Sequence, residues 1–242
     1  VHDLIMENSE ASNHLDKYKR SKMKDGLEKS NRAISVSQQT KEKLVENNFF
    51  EEENVKVIRP SVSEEFYPEK ESPEEINLPE KYILNVGAFG ERKNNDFLLE
   101  VLKELPPRFN LCKISGNSSK SQRDNFLKEA VRRGLEDRVN IYGWVSNKDL
   151  RRIYSNADVY LHPASYGGLE LTPLEAASCG SPVVIQSEGV PAANVLGEKV
   201  AKFSKFNPKK VASLVEQEEG KSIRYNTKDK QDIKSEIGDF LH

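Results

Sequence analysis

Apolar runs of strand length alternate with amphipathic helical patterns from residue 82 onward, and this alternation constrains the fold more than any other feature. Most of the runs are continuous, which is typical of strands buried on both faces of a parallel sheet. Strand, helix and strand repeated at this spacing predict an α/β fold with a Rossmann-like, doubly wound parallel sheet. The predicted strands are 82–88, 110–115, 139–145, 159–163, 182–186 and 200–203.

Helical patterns fill the intervals between these runs, with their apolar residues on one face. The pattern that ends at Arg133 is followed by Gly134, and a glycine just after the last turn is a common helix terminator. The predicted helices are 96–105, 121–133, 149–156, 172–178 and 208–217.

The first 60 residues have a different organisation, with too few elements to bury a core of their own. The predicted elements are helices 15–27 and 41–47 and a short strand 33–36. A stretch rich in Ser, Glu and Pro then runs to Pro79 and is typical of a linker. We therefore place a boundary near residue 62, between a partial domain at 1–62 and a doubly wound domain at 63–242.

Composition excludes several classes of function. The 37 basic and 39 acidic residues give a net charge of −2, which provides no field to attract nucleic acid. No apolar run approaches the roughly 18 residues of a membrane helix, so no transmembrane segment is predicted. Cys112 and Cys179 lie far apart in apolar surroundings, and the histidines lack metal-ligand spacing. This is typical of reduced cysteines in a cytosolic protein without a metal site.

A basic loop with two glycines follows the first strand of the second predicted domain. Gly87 and Gly90 allow backbone N–H groups to approach a phosphate, and the next helix presents its positive end. Arg92 and Lys93 add two cations that suit a diphosphate. A solvated basic turn would have the same residues, and the spacing lacks the GxGxxG fingerprint of dinucleotide-binding proteins.

A second candidate site follows the fourth of these strands. Gly167 and Gly168 form a flexible turn at the carboxyl end of a strand, where open α/β sheets bind ligands. Thr172 fits a helix N-cap and Glu175 the third helical position, which together predict a capping box. A capping carboxylate keeps a second oxygen for a ligand, so both roles of Glu175 remain open.

The run LELTPLEAASCGSPVV, at 169–184, resembles the donor-binding signature of the retaining, GT-B-fold glycosyltransferases of family 4, the glycosyl transferases group 1. YILNVGAFGERKN resembles the first strand and phosphate loop of that family's C-terminal domain. RVNIYGWVSNKDLRRIYSNADVYLHPA resembles its nucleobase-contacting strand and the helix and strand that follow. AISVSQQTKEKL and VKVIRPSV resemble the end of its N-terminal domain and the crossover. The order of these motifs makes the resemblance specific, and it weakens after residue 206.

The resemblance implies a hexosyltransferase facing the cytosol. Such an enzyme moves a sugar from a nucleotide diphosphate sugar to a saccharide or lipid-linked acceptor, with retention and with neither metal nor cofactor. By position, Arg92 and Lys93, beside Gly87, would hold the diphosphate, and Leu171 and Thr172 would offer it backbone N–H groups. Fixed cations and a helix dipole stabilise the charge that develops on a departing diphosphate.

The resemblance also assigns the ends of the donor. Trp144 and Val145 would face the nucleobase, and Glu175 would bind the ribose hydroxyls. His2 matches an N-terminal-domain histidine beside the donor sugar, and it joins the two cations of the loop as a catalytic candidate.

Four positions depart from the family pattern. Ala88 stands where many members have an arginine, and Asn194 where many have a glutamate. Gly167 stands where the first glutamate of an E-x7-E pattern contacts the donor sugar. Glu170 occupies a position that is usually glycine, where it either replaces that glutamate or crowds the phosphate. We keep Gly168 and Glu170 among the donor-binding candidates.

Most of the family's acceptor-binding domain has no counterpart in this sequence, although the active site lies between the two domains. The main hypothesis is therefore the donor-binding part of a glycosyltransferase, with the acceptor domain in further chain or in a partner polypeptide. A non-catalytic nucleotide-sugar-binding or regulatory module is the alternative. A dinucleotide-dependent oxidoreductase lacks its fingerprint and its ribose-binding acid. The expected location is cytoplasmic, with peripheral attachment to the inner face of the membrane left open.

Overall fold

The computed structural model describes residues 14–74, 76–116, 118–223, 225 and 230–241, and the contacts between residues divide the chain into two units. The described part of the first unit consists of 14–61, Gly167–Leu169 and 230–241, and the described part of the second unit lies within Val62–Tyr166 and from Glu170 to Tyr225. Gly167–Leu169 and 230–241 belong to the first unit, whereas the predicted domains at 1–62 and 63–242 place them in the second domain. The domain assignment stays a prediction.

Helices and strands alternate along most of the described chain. In chain order they are α1 (His14–Glu28), β1 (Ala33–Ser35), α2 (Gln38–Glu46), β2 (Val55–Val57), β3 (Tyr82–Val86), α3 (Asn95–Glu104), β4 (Asn110–Ile114), α4 (Lys120–Arg132), β5 (Val139–Tyr142), α5 (Asn147–Asn156), β6 (Val159–His162), α6 (Leu171–Ser178), β7 (Val183–Gln186), α7 (Pro191–Leu196), β8 (Ala201–Phe203), α8 (Pro208–Glu218) and α9 (Lys230–Leu241).

The first unit has a small core around two parallel strands, β1 and β2, in which Ala33 lies opposite Val55. Leu44 of α2 is fully buried, and it packs in a cluster with Leu27 and Phe50. A Ser37 side chain caps α2 by accepting a hydrogen bond from the backbone of its third residue, which starts this helix earlier than predicted.

Among its described residues, the second unit forms a six-stranded sheet with every neighbouring pair parallel, in the order β5-β4-β3-β6-β7-β8. This confirms the predicted Rossmann-like, doubly wound sheet. Leu84 of β3 lies opposite Cys112 of β4 on one side and Tyr160 of β6 on the other. The strand order reverses here, and sheets of this kind bind ligands beyond the carboxyl ends of such strands.

The strands are shorter than the apolar runs that predict them. The run 139–145 stops being a strand at Tyr142, so Trp144 and Val145 lie in the loop after β5. Helices α7 and α9 are not among the predicted elements.

The acidic stretch predicted to be a linker lies against α5, and its described residues form no helix or strand. Arg152 of α5, with only 6% of its side chain exposed, pairs with Glu69 at 3.0 Å, with Glu74 at 3.1 Å and with Glu71. The Glu74 N–H also donates to Asp149 Oδ1 at 2.9 Å. These bonds fix the stretch to the second unit.

Replacing Leu84 by alanine tests the position of the core. Leu84 is fully buried on the central strand β3, so the L84A variant should lose about 2–5 kcal/mol of unfolding free energy through the cavity left behind. L127A, the same substitution at a side chain 39% exposed on α4, should change it by only about 0.5 kcal/mol. Urea unfolding followed by circular dichroism measures both, and equal losses would contradict this core.

Candidate functional site

The loops after β3 and β6 meet where the strand order reverses. The Ser165 N–H donates to the Arg92 carbonyl at 2.8 Å, and Arg92 Nη1 donates to the Tyr166 carbonyl at 3.3 Å. The basic loop predicted to bind phosphate is therefore tied to the segment that leads into α6. Both lie at the edge of the sheet where this fold binds ligands.

The first residues of the basic loop are held by β4 and the segment after it. Gly87 has a φ of +140°, a conformation that favours glycine, and its N–H donates to the Ile114 carbonyl at 3.0 Å. The Phe89 N–H donates to Ser118 Oγ at 3.2 Å, and the Phe89 carbonyl accepts from Gln122 Nε2 at 3.1 Å. The backbone of the loop is thus fixed before Arg92 and Lys93 are reached.

The site concentrates positive charge. Arg92 and Lys93 lie in a single 3₁₀ turn, Glu91–Lys93, directly before α3. Burial lowers the pKa of Lys93 and the neighbouring Arg92 lowers it further, whereas the carboxylate of Glu170 opposes the shift. Like charges held this close to one another favour the binding of an anion.

Two further basic groups face this region, and neither is a site residue in the sequence analysis. Lys113 of β4 is fully buried, and its Nζ donates to Asn85 Oδ1 at 2.6 Å and to the Gly87 carbonyl at 2.7 Å. Burial, and then the charge of Lys93, lowers the pKa of Lys113 to about 7. His162 at the end of β6 is buried as well, and burial followed by the charges of Lys93 and Lys113 holds its pKa well below the usual value. A lysine inside the apolar run NLCKIS is the signal that could have found the first of them.

Glu170 lies at the N-cap of α6 and is 7% exposed. Among the described residues, neither of its carboxylate oxygens has a hydrogen-bond partner of normal geometry. Burial raises the pKa of this carboxyl group, while its own backbone N–H, Lys93, Arg92 and the Ala192 N–H oppose the shift. Glu170 therefore lies near the cations of the loop.

The predicted capping box at the start of α6 is wrong. The N-cap is Glu170 and the helix begins at Leu171, two residues earlier than the capping box requires, so Thr172 is inside its first turn. Thr172 Oγ1 accepts a hydrogen bond from the Tyr160 hydroxyl at 2.9 Å, and Glu175 Oε2 accepts one from the Tyr154 hydroxyl at 3.0 Å. The side chains that the pattern assigns to a helix cap are instead hydrogen-bonded to two tyrosines distant in sequence.

Two predicted ligand contacts remain possible in this arrangement, namely the backbone N–H groups at the start of α6 and the Glu175 carboxylate. Leu171 and Thr172 are the first residues of α6, where backbone N–H groups have no acceptor within the helix. Glu175 is half-buried, and burial raises its pKa while the Tyr154 hydrogen bond lowers it.

Trp144, in the loop after β5, is 80% exposed, and Val145 beside it is half-buried. The Trp144 backbone lies close to Gly116, the residue after β4. Glycine allows this close packing, because a Cβ atom at position 116 would lie 3.3 Å from the Trp144 Cα atom. An exposed aromatic ring at the carboxyl end of the sheet suits stacking against a planar group.

Other predicted features have the following places. Gly168 belongs with the first unit, and His2 lies outside the described residues. Cys112 and Cys179 are buried and not disulfide-bonded. In the described part of the chain, no group of three or more His, Cys, Asp and Glu residues is placed to hold a metal ion. No helix there is both long and apolar enough to cross a membrane.

Two curated relatives share parts of this sequence. An uncharacterised glycosyltransferase of Methanocaldococcus jannaschii is 30% identical over 165 residues, which cover 64% of this chain and 42% of that protein. The mannosylfructose-phosphate synthase of Agrobacterium fabrum is 28% identical over 160 residues, with coverage of 60% and 35%. The chain thus spans less than half the length of these relatives.

Solved structures share the fold. Sucrose-phosphate synthase from Thermosynechococcus elongatus matches with a TM-score of 0.74 at 20% identity, over 99% of this chain and 65% of that one. Anabaena HepE in complex with UDP and glucose matches with a TM-score of 0.66 at 17% identity, over 78% and 53%. The glycosyl transferases group 1 model matches residues 67–225, well over half of the sequence. The chain therefore belongs to the glycosyl transferases group 1, the family 4 glycosyltransferases of GT-B fold, a family of hexosyltransferase-type enzymes.

Proposed function

We propose that this chain binds the nucleotide diphosphate sugar of a glycosyl transferase group 1 enzyme, which passes the sugar to a saccharide or lipid-linked acceptor with retention. The observation that carries the proposal is the meeting of the basic loop with the segment leading into α6, through the Arg92 carbonyl and the Arg92 guanidinium. The known complex of Anabaena HepE with UDP and glucose supports a nucleotide-sugar ligand for this fold.

The chemistry follows from the charges at the site. When the bond between the sugar and the diphosphate breaks, negative charge develops on the departing phosphate oxygens. Arg92 and Lys93 would stabilise that charge, and the N–H groups of Leu171 and Thr172 would donate to it from the positive end of α6. Donors fixed before the reaction need no reorganisation as the charge develops.

The nucleoside end of the donor would lie toward Trp144. Its exposed ring and the adjacent Val145 would contact the base. Glu175 would accept hydrogen bonds from the ribose hydroxyls through Oε1, since Oε2 takes the Tyr154 hydroxyl. Gly168, which has no side chain, would let the backbone come close to the donor.

The acceptor would be bound by residues outside this sequence, in the same polypeptide or in a partner chain, because the chain spans less than half of its relatives. His2 would lie beside the donor sugar. A nucleotide-sugar-binding module without catalysis is the second candidate, and the observation that favours it is the buried Glu170 carboxyl group beside the phosphate-binding cations.

Calorimetric titration with UDP, GDP and ADP, and then with the matching nucleotide sugars, tests donor binding directly. We expect one nucleoside diphosphate to bind, and the Lys93→Ala variant to weaken it by roughly 10- to 150-fold, because a hydrogen bond to a charged group contributes about 1.5–3 kcal/mol. Lys128→Ala removes an exposed lysine on α4 and should leave affinity unchanged. Failure of every diphosphate to bind a chain that unfolds cooperatively would refute the proposal.

Glu175→Gln tests the ribose contact. If the carboxylate accepts ribose hydroxyls, nucleotide affinity should fall by about 1–3 kcal/mol. Tyr154→Phe is the matched control, because it removes the hydroxyl that donates to Glu175 and touches no proposed ligand atom. The control should lower the melting temperature while affinity stays within about twofold. A lower melting temperature with unchanged affinity in both variants would leave Glu175 a structural role alone.

A further inference from the structure

Lys113 is a charged side chain buried in a sheet and unused by the proposed donor contacts. It is 0% exposed on β4, and within the described part of the chain its ammonium group donates to two neutral oxygens, Asn85 Oδ1 and the Gly87 carbonyl. Burying a charge without a carboxylate partner is costly. A residue whose charged group is buried in this way is a candidate for a functional role.

The contacts of Lys113 converge on the start of the basic loop. Both backbone groups of Gly87 are fastened to β4: its N–H donates to the Ile114 carbonyl at 3.0 Å, and its carbonyl accepts from Lys113 Nζ at 2.7 Å. The Phe89 ring centroid lies 5.2 Å from the same Nζ atom. Lys113 thus touches the loop at two residues and controls where its backbone leaves β3.

The same ammonium group is linked across the point where the strand order reverses. Asn85, which accepts from Lys113, donates through Nδ2 to the Leu161 carbonyl of β6 at 2.8 Å. One side chain on β4 therefore connects, through one on β3, to β6. The basic loop and the segment before α6 start from strands that this chain of bonds holds together.

We propose that Lys113 is a positioning residue for the donor diphosphate, whose ammonium group fixes the Gly87 carbonyl and adds a third positive charge to the site of Arg92 and Lys93. This inference rests on the proposed donor-binding function. It assigns to a buried residue the task of holding the loop on which the donor contacts depend.

The surroundings of Lys113 fix the sign of a pH dependence. Its neighbours on β3 and at the start of the loop, Asn85, Gly87 and Phe89, are neutral. The titratable groups that act on it or feel its charge are Lys93 of the loop and His162 of β6. Burial and Lys93 lower the Lys113 pKa to about 7, whereas a bound diphosphate would raise it. Donor affinity should therefore be full below about pH 7 and fall as the pH rises above it.

Hydrogen exchange of the free chain is the first test, and it needs no ligand. In Lys113→Met the Gly87 carbonyl loses its donor, so the amides of residues 87–91 should exchange about tenfold faster than in the wild type. Lys103→Met, at an exposed lysine of α3, is the matched control and should leave them unchanged. Lys113→Gln, which keeps an uncharged N–H donor, is a second variant should the methionine variant unfold. Unchanged exchange in a folded Lys113→Met variant would overturn the proposal.

Calorimetry with UDP-glucose, GDP-mannose and ADP-glucose is the second test, since these diphosphate diesters do not titrate near neutral pH. Between about pH 6.5 and about pH 8.5, wild-type affinity should fall about tenfold, with proton uptake visible in buffers of different ionisation heat. Both Lys113 variants should bind more weakly at the lower pH and show a flat profile, whereas Lys103→Met should follow the wild type. A pH profile that survives in Lys113→Gln would overturn the proposal. Failure of the wild type to bind any of the three would instead refute donor binding, and the exchange result would then decide the role of Lys113 alone.

Discussion

Parallel pairing of β3 with β4 on one side and β6 on the other places two outgoing loops at one edge of the sheet. Because neighbouring parallel strands end on the same side, the basic loop after β3 and the segment before α6 emerge together. The hydrogen bonds of Arg92 to Ser165 and Tyr166 then join them. This pairing brings together the cations of the basic loop and the positive end of α6, and neither loop could produce this arrangement by itself.

The edge of the sheet departs from the charge balance of the rest of the molecule. In the acidic stretch against α5, by contrast, Arg152 is paired with three glutamates. At the switch point the charge of Lys93 lowers the pKa of the buried Lys113, and Arg92 lowers that of Lys93. The buried Glu170 carboxyl group lacks a hydrogen bond of normal geometry in the described chain. Unfavourable local electrostatics of this kind are expected where a charged ligand supplies the missing partner.

Much of the fold could be predicted because a strand buried on both faces is rich in successive apolar residues, as Tyr82, Ile83 and Leu84 are. The position of the basic loop could also be predicted, because its glycines and cations directly follow the strand in the sequence. The capping box failed because Thr172 and Glu175 have partners on β6 and α5 that a local pattern does not contain. The contact made by Lys113 is not predictable for the same reason, since its hydrogen bond joins it to Gly87, 26 residues earlier. Long-range hydrogen bonds decide these roles, and sequence spacing does not encode them.

The close approach of Gly116 to Trp144 has a consequence for how proteins of this kind diversify. A methyl group at position 116 would meet the Trp144 backbone at 3.3 Å, so the whole indole platform would shift by a few tenths of an ångström. Such a shift leaves every side chain of the platform chemically intact. On the proposed contact of Trp144 with the nucleobase, a substitution at residue 116 would alter base preference without changing any contacting side chain, and a comparison restricted to contacting residues would overlook the cause.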